Sequence, residues 1–212
     1  RTLDELATGD PLTIAGEVTL PVTFALMAKP GANKISRIGT HPHAESQCRA
    51  YIAKNYPHAE IVPTSSTSAA AELVSKGELD AAIASSVAAE HFGLEILAES
   101  IGDNAGAVTR FISAQKPGWI PEPTGHDRTS MAIFIDIDHA GALLEILQVF
   151  AKREVNLTFI QSRPTGRELG HYHFIIDVEG HIKDPAVGGS IAELKEICDD
   201  IRFLGSYPRE AQ

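Results

Sequence analysis

Asn156-Leu157-Thr158-Phe159-Ile160-Gln161-Ser162-Arg163-Pro164-Thr165-Gly166 reads as a β-strand running into a turn. Its apolar, aromatic and β-branched residues suit a pleated surface, and Pro164 with Gly166 ends the run. Just upstream, Gly141-Ala142-Leu143-Leu144 opens a helix with two small residues, so a ligand could approach its backbone closely. Working outward, Ser130 to Ile137 is predicted as a first strand and Ala140 to Lys152 as the first helix. His171 to Val178 follows as a strand with alternating faces, Ser190 to Cys198 as a helix, and Arg202 to Ser206 as the closing strand. The order strand, helix, strand, strand, helix, strand is the ferredoxin-like plan.

Before this region, Lys116 to Gly125 carries three prolines and two glycines, which neither a helix nor a central strand accommodates. It is read as an interdomain linker, and Trp119 is a candidate to anchor it by burying its ring. Ahead of it, short apolar runs alternate with amphipathic stretches. Leu12 to Val18 is predicted as a strand, with Thr19 to Met27 continuing extended. Ala44 to Tyr56 has helical spacing, and Ser66 to Ser75 is a helix with Ser66 or Thr67 as its N-cap and Gly77 as its stop. Ile61-Val62, Ala81 to Ala84, Leu94 to Ala98 and Val108 to Ser113 read as strands, and Val87 to Phe92 as a short helix. Such alternation implies an α/β fold with a mixed or parallel sheet covered on both faces, where ligands bind at the carboxyl ends of strands.

The chain has 212 residues, 43% hydrophobic and 22% charged, with a formal charge of −10. An acid excess spread over both halves argues against nucleic acid or an anionic membrane as partner, because phosphate binding needs clustered Lys and Arg. No apolar run approaches the ~20 residues of a membrane-spanning helix. Two distant cysteines, Cys48 and Cys198, give no disulfide framework and fit a reducing cytoplasm. His171 and His173 share a predicted strand face, but no third ligand falls at a recognisable spacing, so no metal site is assigned. Walker, Rossmann and nucleophile-elbow motifs do not occur.

Three groups of residues could carry chemistry. The Ser65 to Ser68 segment puts hydroxyls and free backbone N–H groups at a helix start, which suits an anion or a plain N-cap. Asp138 stands where it could cap the helix beginning near Ala140. Thr109-Arg110-Phe111 ends the first domain, and spacing alone gives it no more than an edge strand.

The chain resembles prephenate dehydratases that carry a C-terminal phenylalanine-sensing ACT domain. Thr109-Arg110-Phe111 is similar to the segment holding that family's catalytic threonine. Thr40-His41-Pro42-His43 with Gln47-Cys48, Ser66 to Ala71, and Ala88 to Leu94 are similar to three further family segments, and Gly141 to Leu144 with Gln161 to Pro164 to the ACT signatures. The resemblance implies a periplasmic-binding-protein-like lobe over 1–115, a linker over 116–127 and an ACT domain over 128–212. Thr2 to Leu6 looks like the point where the family's N-terminal lobe ends, so an earlier segment is expected to precede Arg1.

By this resemblance the activity is decarboxylating dehydration of prephenate to phenylpyruvate in phenylalanine biosynthesis, without a cofactor. Thr109 would assist hydroxide departure, with Arg110 positioning it or a substrate carboxylate; Phe111, His41, Ser66, Thr67, Ser68 and Asn104 would line the substrate site. The family's asparagine two residues before the threonine is here Ala107, and Asn104 is the nearest candidate. Phenylalanine would bind between two ACT domains, at Asp138, His139, Ala140, Gly141, Ala142, Leu143 and Leu144 on the helix side and Asn156, Leu157, Thr158, Gln161, Ser162, Arg163 and Pro164 on the strand side. The family usually has Glu where this chain has Gln161, so retuned sensing is expected. A homodimer or homotetramer follows from a site that needs two chains. The alternative is a non-catalytic amino-acid sensor with the same folds, and fusion to a chorismate mutase domain is a third option.

Overall fold

The computed structural model describes residues 2–135, 139–164 and 172–210. In chain order the first elements are α1 (Thr2–Thr8), β1 (Thr13–Pro21), β2 (Ala25–Ala28), β3 (Arg37–Thr40), α2 (Pro42–Gln47) and α3 (Arg49–Asn55). Next come β4 (Glu60–Pro63), α4 (Thr67–Lys76), β5 (Ala81–Ala84), α5 (Ser86–Phe92), β6 (Glu95–Ala98) and β7 (Val108–Gln115). The last are β8 (Asp127–Ile135), α6 (Ala142–Lys152), β9 (Leu157–Pro164), β10 (Tyr172–Glu179), α7 (Pro185–Ile197) and β11 (Asp200–Pro208). They form two compact units, a continuous one over Leu20–Thr109 and a discontinuous one joining Arg1–Thr19 to Arg110–Gln212. These units do not coincide with the division 1–115, 116–127 and 128–212 read from sequence, because β1 and β7 pair with each other and group with the C-terminal sheet.

The continuous unit holds a five-stranded mixed sheet in the order β4-β3-β5-β2-β6. β3 runs parallel to β4 and β5, whereas β2 runs antiparallel to β5 and β6. Strand alternation sends Met27, Ala82 and Ala84 to one face, where Ala70, Ala71 and Val74 of α4 cover them. Leu26, Ala28, Ala81 and Ile83 face the other way, with Tyr51 and Ile52 of α3 packed nearby. Small residues let α4 approach closely: a Cβ on Gly39 would lie 2.5 Å from Leu79 Cδ1 and 3.2 Å from Ala70 Cβ. Ser66 caps α4 by accepting from the Ala69 N–H at 3.0 Å, and Gly77 ends it with φ +83°.

Two sequence expectations change here, and one element is new. The extended run to Met27 is two strands in different sheets, because Pro21 closes β1 and removes a donor from its ladder. The helix over Ala44 to Tyr56 is broken at Cys48, whose φ of −123° is not helical. α1 has no counterpart in the sequence reading.

In the discontinuous unit the sheet order is β11-β8-β10-β9, all antiparallel, as the ferredoxin-like plan requires. One face carries Met131, Ile133, Ile176 and Val178 against Ile146, Val149 and Phe150 of α6 and Val187, Ile191 and Leu194 of α7. Those helix positions recur at three- and four-residue spacing, which puts them on one stripe. The opposite face, Ala132, Ile175, Leu204 and Tyr207, is covered by Leu6 and Ala7 of α1, Ile14 of β1 and Ile112 of β7. α6 starts at Ala142 with Gly141 as its N-cap residue at φ +103°, two residues beyond the expected start near Ala140; the expected cap residue Asp138 lies outside the described residues. α7 starts at Pro185 rather than Ser190, with proline fixing φ where no N–H partner is needed. Trp119 does not anchor the linker by burial: it is 57% exposed.

His173 is 2% exposed, stacks on Phe134 and, among the described residues, has no hydrogen-bond partner on either ring nitrogen. Burial lowers its pKa below the usual 6.5, Asp4 opposes that and Arg163 reinforces it. The unfolded chain therefore takes up this proton near pH 6.5 while the folded chain resists it to lower pH. Stability from this residue is complete above pH 6.5 and is lost as pH falls below it. We expect the melting temperature to drop between about pH 7.5 and about pH 5.5, and the drop to be smaller in His173→Phe. Equal drops would exclude a contribution from this imidazole. The paired position read from sequence, His171, lies outside the described residues.

Candidate active site and effector site

In the continuous unit the carboxyl ends of the parallel strands β3 and β4 lead into His41 and into the Thr64 to Ser68 segment. Thr40 is fully buried, and its hydroxyl donates to the Ile83 carbonyl at 2.9 Å, fixing the strand end. His41 then caps α2, its Nδ1 accepting from the His43 N–H at 3.2 Å. The Thr64 hydroxyl donates to the Ser66 carbonyl at 2.8 Å, so Ser66 presents both its cap and a shaped turn before Thr67 and Ser68. His41, Ser66, Thr67 and Ser68 thus share one edge of the sheet, where helix N-termini supply N–H groups and positive partial charge.

Asn104 sits in a loop tied to the same edge. Asp103 N–H donates to the Gln47 carbonyl at 2.7 Å, and the Asp103 carboxylate accepts from Ala50 N–H at 3.2 Å. That carboxylate serves α3 from a distance, where Cys48 offers no side-chain cap. Sequence reading missed Asp103, and only an acid before a turn could have suggested it. Asn104 uses its own side-chain oxygen to accept from Gly106 N–H at 3.1 Å, so its amide shapes the turn. Ala107 is held by its carbonyl, which accepts from Val22 N–H at 2.8 Å. Thr109, the last residue of this unit, is exposed on β7.

Phe111 belongs to the discontinuous unit and is 55% exposed. Arg110 does not accompany Thr109. Neighbouring strand residues point to opposite faces, and the Arg110 guanidinium reaches Asp177 Oδ2 at 2.5 Å and Glu17 at 3.7 Å. Asp177 and Glu17 are both buried, and Arg128 also pairs with Glu17. Ser130 donates to Asp177 Oδ1 at 2.6 Å and shares a 2.7 Å hydrogen bond with the Tyr207 hydroxyl. Burial, then Asp177, push the Tyr207 phenol up to about 12, so it stays protonated.

The residues expected at the effector site divide by strand face. Register places Gln161 opposite Ile175 and Arg163 opposite His173, on the face away from α6. Arg163 pairs there with Asp4, Nε to Oδ1 at 3.1 Å. Ser162 and Pro164 lie on the α6 side, opposite Phe174 and Tyr172. Among the described residues, a Cβ added at Gly141 would meet nothing within 4 Å, beside Ala142, Leu143 and Leu144 at the start of α6. His139 and Ala140 lead into it, and the His139 carbonyl accepts from Ala142 N–H at 3.1 Å. On the strand side Asn156 holds Glu179 through its carbonyl, Leu157 packs in the helix-side core, and Thr158 donates to the Asp177 carbonyl at 3.3 Å.

Burial pushes the Cys48 thiol up to about 12 and that of Cys198 up to about 11, which leaves no thiolate nucleophile at neutral pH. Among the described residues no group of three His, Cys, Asp or Glu is arranged to hold a metal ion, and no helix is long and apolar enough to cross a membrane.

Comparison with known proteins agrees with this fold. Residues 1–118 match the family model for prephenate dehydratase, and residues 133–196 match that for the ACT domain. The prephenate dehydratase of Amycolatopsis methanolica is 42% identical over 209 residues, covering 98% of this chain and 68% of the relative. The crystal structure of a prephenate dehydratase from Arthrobacter aurescens, in complex with L-Phe, superimposes with a TM-score of 0.87 at 50% identity, over 98% of this chain and 70% of that one. GqqA, described as a novel type of quorum quenching acylase, superimposes with a TM-score of 0.80 at 32% identity, over 94% of this chain and 73% of that one. With one family model spanning more than half its length and the ACT model following in order, the chain belongs to the prephenate dehydratase family.

Proposed function

We propose that the chain aromatises prephenate at the edge marked by His41, Ser66 to Ser68 and Asn104, with Thr109 at the leaving hydroxyl. The observation that carries this reading is the exposed Thr109 hydroxyl, in the family's threonine-arginine-phenylalanine segment, at the end of the unit that offers those helix N-termini. In the reaction the bond to the ring carboxylate breaks and releases carbon dioxide. Its electron pair flows into the ring, and hydroxide leaves from the opposite carbon and takes a proton to become water. Aromatisation supplies most of the driving force, so the protein has to hold the substrate and stabilise the departing oxygen. A neutral threonine hydroxyl can donate a hydrogen bond there or relay a proton from water. The start of α4 suits a substrate carboxylate, since Ser66 leaves further N–H groups of the first turn directed outward.

Phenylalanine is the effector in this reading. Its carboxylate would lie at the start of α6, beside Gly141 to Leu144, and the α6-side residues of β9 would belong to the same pocket. Because Gln161 and Arg163 occupy the other face of β9, they would shape the strand rather than grip the ligand from their own chain. A second copy of the chain would complete the site, as a dimer or tetramer, in the cytoplasm. The sensor-only alternative is not favoured, since the catalytic segment is intact and the named relatives are enzymes.

The test is phenylpyruvate formation from prephenate by the full-length protein, with and without phenylalanine. Turnover reduced by phenylalanine supports both parts. Gly141→Val should weaken phenylalanine binding roughly tenfold or more, through its strained φ and its side chain at the ligand position, and leave uninhibited turnover near parental. Turnover indifferent to phenylalanine would exclude the effector assignment, and absence of turnover would exclude the catalytic one.

A further inference from the structure

Arg110 is placed by its neighbours in a closed set of charges. Two guanidinium groups, Arg110 and Arg128, meet two buried carboxylates, Asp177 and Glu17. The set is already neutral, so it has no excess positive charge to offer a substrate carboxylate. Arg110 also lies over the Phe159 ring at 6.0 Å, and Asp177 is fixed further by Ser130, itself bonded to Tyr207. Charge, aromatic face and hydroxyl network all hold the guanidinium in one place. Yet its backbone is bonded directly to Thr109. Asp177 in turn stands on β10 beside β9, where it opposes Phe159, and the pairing shifts register between Asp177 and Val178. Such an irregularity is a point where a strand can re-aim its side chains.

We infer that Arg110 is a positioning residue: its buried ion pair with Asp177 ties the strand carrying Thr109 to the sheet whose next strand, β9, carries the effector segment, and phenylalanine reaches turnover through that pair. This rests on the reading of Thr109 and of the effector site given above. Loss of the tie leaves the threonine hydroxyl free to wander, and a misplacement of about 1 Å near a reacting bond costs roughly a hundredfold in rate. The device needs no movement of Arg110 into the substrate site.

The experiment is steady-state kinetics of the full-length enzyme and of Asp177→Asn, Arg110→Gln and the paired change Arg110→Met with Asp177→Leu. Removing one partner strands a buried charge, whereas removing both leaves an apolar pair that tolerates folding. Circular dichroism and calorimetric titration with phenylalanine accompany each variant. Asp177→Asn and Arg110→Gln are expected to lower kcat roughly tenfold or more with KM for prephenate within about twofold, and the double change to be no worse than either. All should bind phenylalanine while responding to it less than the parent does. Should either single variant fail to fold, the double change alone decides: parental kcat with a parental phenylalanine response overturns the inference. A rise in KM for Arg110→Gln with kcat unchanged also overturns it, because that marks substrate contact. Parental kinetics in Asp177→Asn has the same force. If the parent enzyme itself shows no turnover, the dehydratase reading falls and this inference falls with it.

Discussion

Thr109→Ala is expected to reduce kcat for phenylpyruvate formation by about 10²–10³-fold, the usual loss when one hydrogen-bond donor to a developing oxyanion is removed. KM for prephenate should move only a few-fold, since the hydroxyl acts chiefly when the carbon–oxygen bond is breaking. Thr109→Ser should recover most of the rate by restoring the donor. Because Thr109 is exposed, either change should alter stability by no more than about 0.5 kcal/mol, so the kinetic loss cannot be attributed to unfolding. Single-turnover measurement with saturating prephenate separates this from slow product release. A parental rate in Thr109→Ala would remove the threonine from the mechanism and leave the helix N-termini of the α4 edge to account for catalysis.

The second large effect concerns stability. Phe150 is fully buried on α6, in the cluster with Met131, Ile133, Ile146, Val149, Ile176 and Leu194. Phe150→Ala should cost about 3–5 kcal/mol, from lost transfer energy plus an unfilled cavity. Set against the roughly 5–15 kcal/mol typical of a domain, that loss would unfold the discontinuous unit at much lower denaturant. The phenylalanine response should disappear at denaturant concentrations where the parent still responds. Ile197→Ala is the control: at 49% exposure its truncation should change stability by roughly 0.5 kcal/mol or less. Equilibrium urea unfolding followed by near-ultraviolet circular dichroism checks both, and similar midpoints for Phe150→Ala and parent would contradict the packing argument.

The strand and helix order of the C-terminal half was legible in the sequence because its signals are local. Alternation in Tyr172–Glu179 and helical spacing at Ile146, Val149 and Phe150 each act within a few residues, whereas the start of α7 at Pro185 was read five residues late, at Ser190. The carboxyl-edge cluster was legible for the same reason, since Ser66 and Gly77 mark both ends of α4. What pairs over long separation was not. Arg110 with Asp177, Ser130 with Tyr207, and Asp103 with Ala50 depend on which face each strand or loop turns, and no residue type announces that. The same limit explains Gln161 and Arg163: their neighbours in sequence, Ser162 and Pro164, share a motif with them but not a face. It also explains β1, whose partner β7 lies most of a domain away along the chain.

That separation has a consequence for how the molecule is made. The ribosome delivers α1 and β1 before all of Leu20–Thr109, and only afterwards the sheet that α1 and β1 must cover. The middle segment has its own core and can fold as it emerges, while the nascent leading strand waits with Ile14 unburied. A fragment beginning at Arg128, cut to isolate the sensor, would lack Leu6, Ala7, Ile14 and Ile112, and would present Ala132, Ile175 and Leu204 to solvent. It would also keep Asp177 and discard its cation. A soluble stand-alone sensor would have to be stitched from the segments on both sides of Leu20–Thr109, with a short connector replacing everything between Thr19 and Arg110.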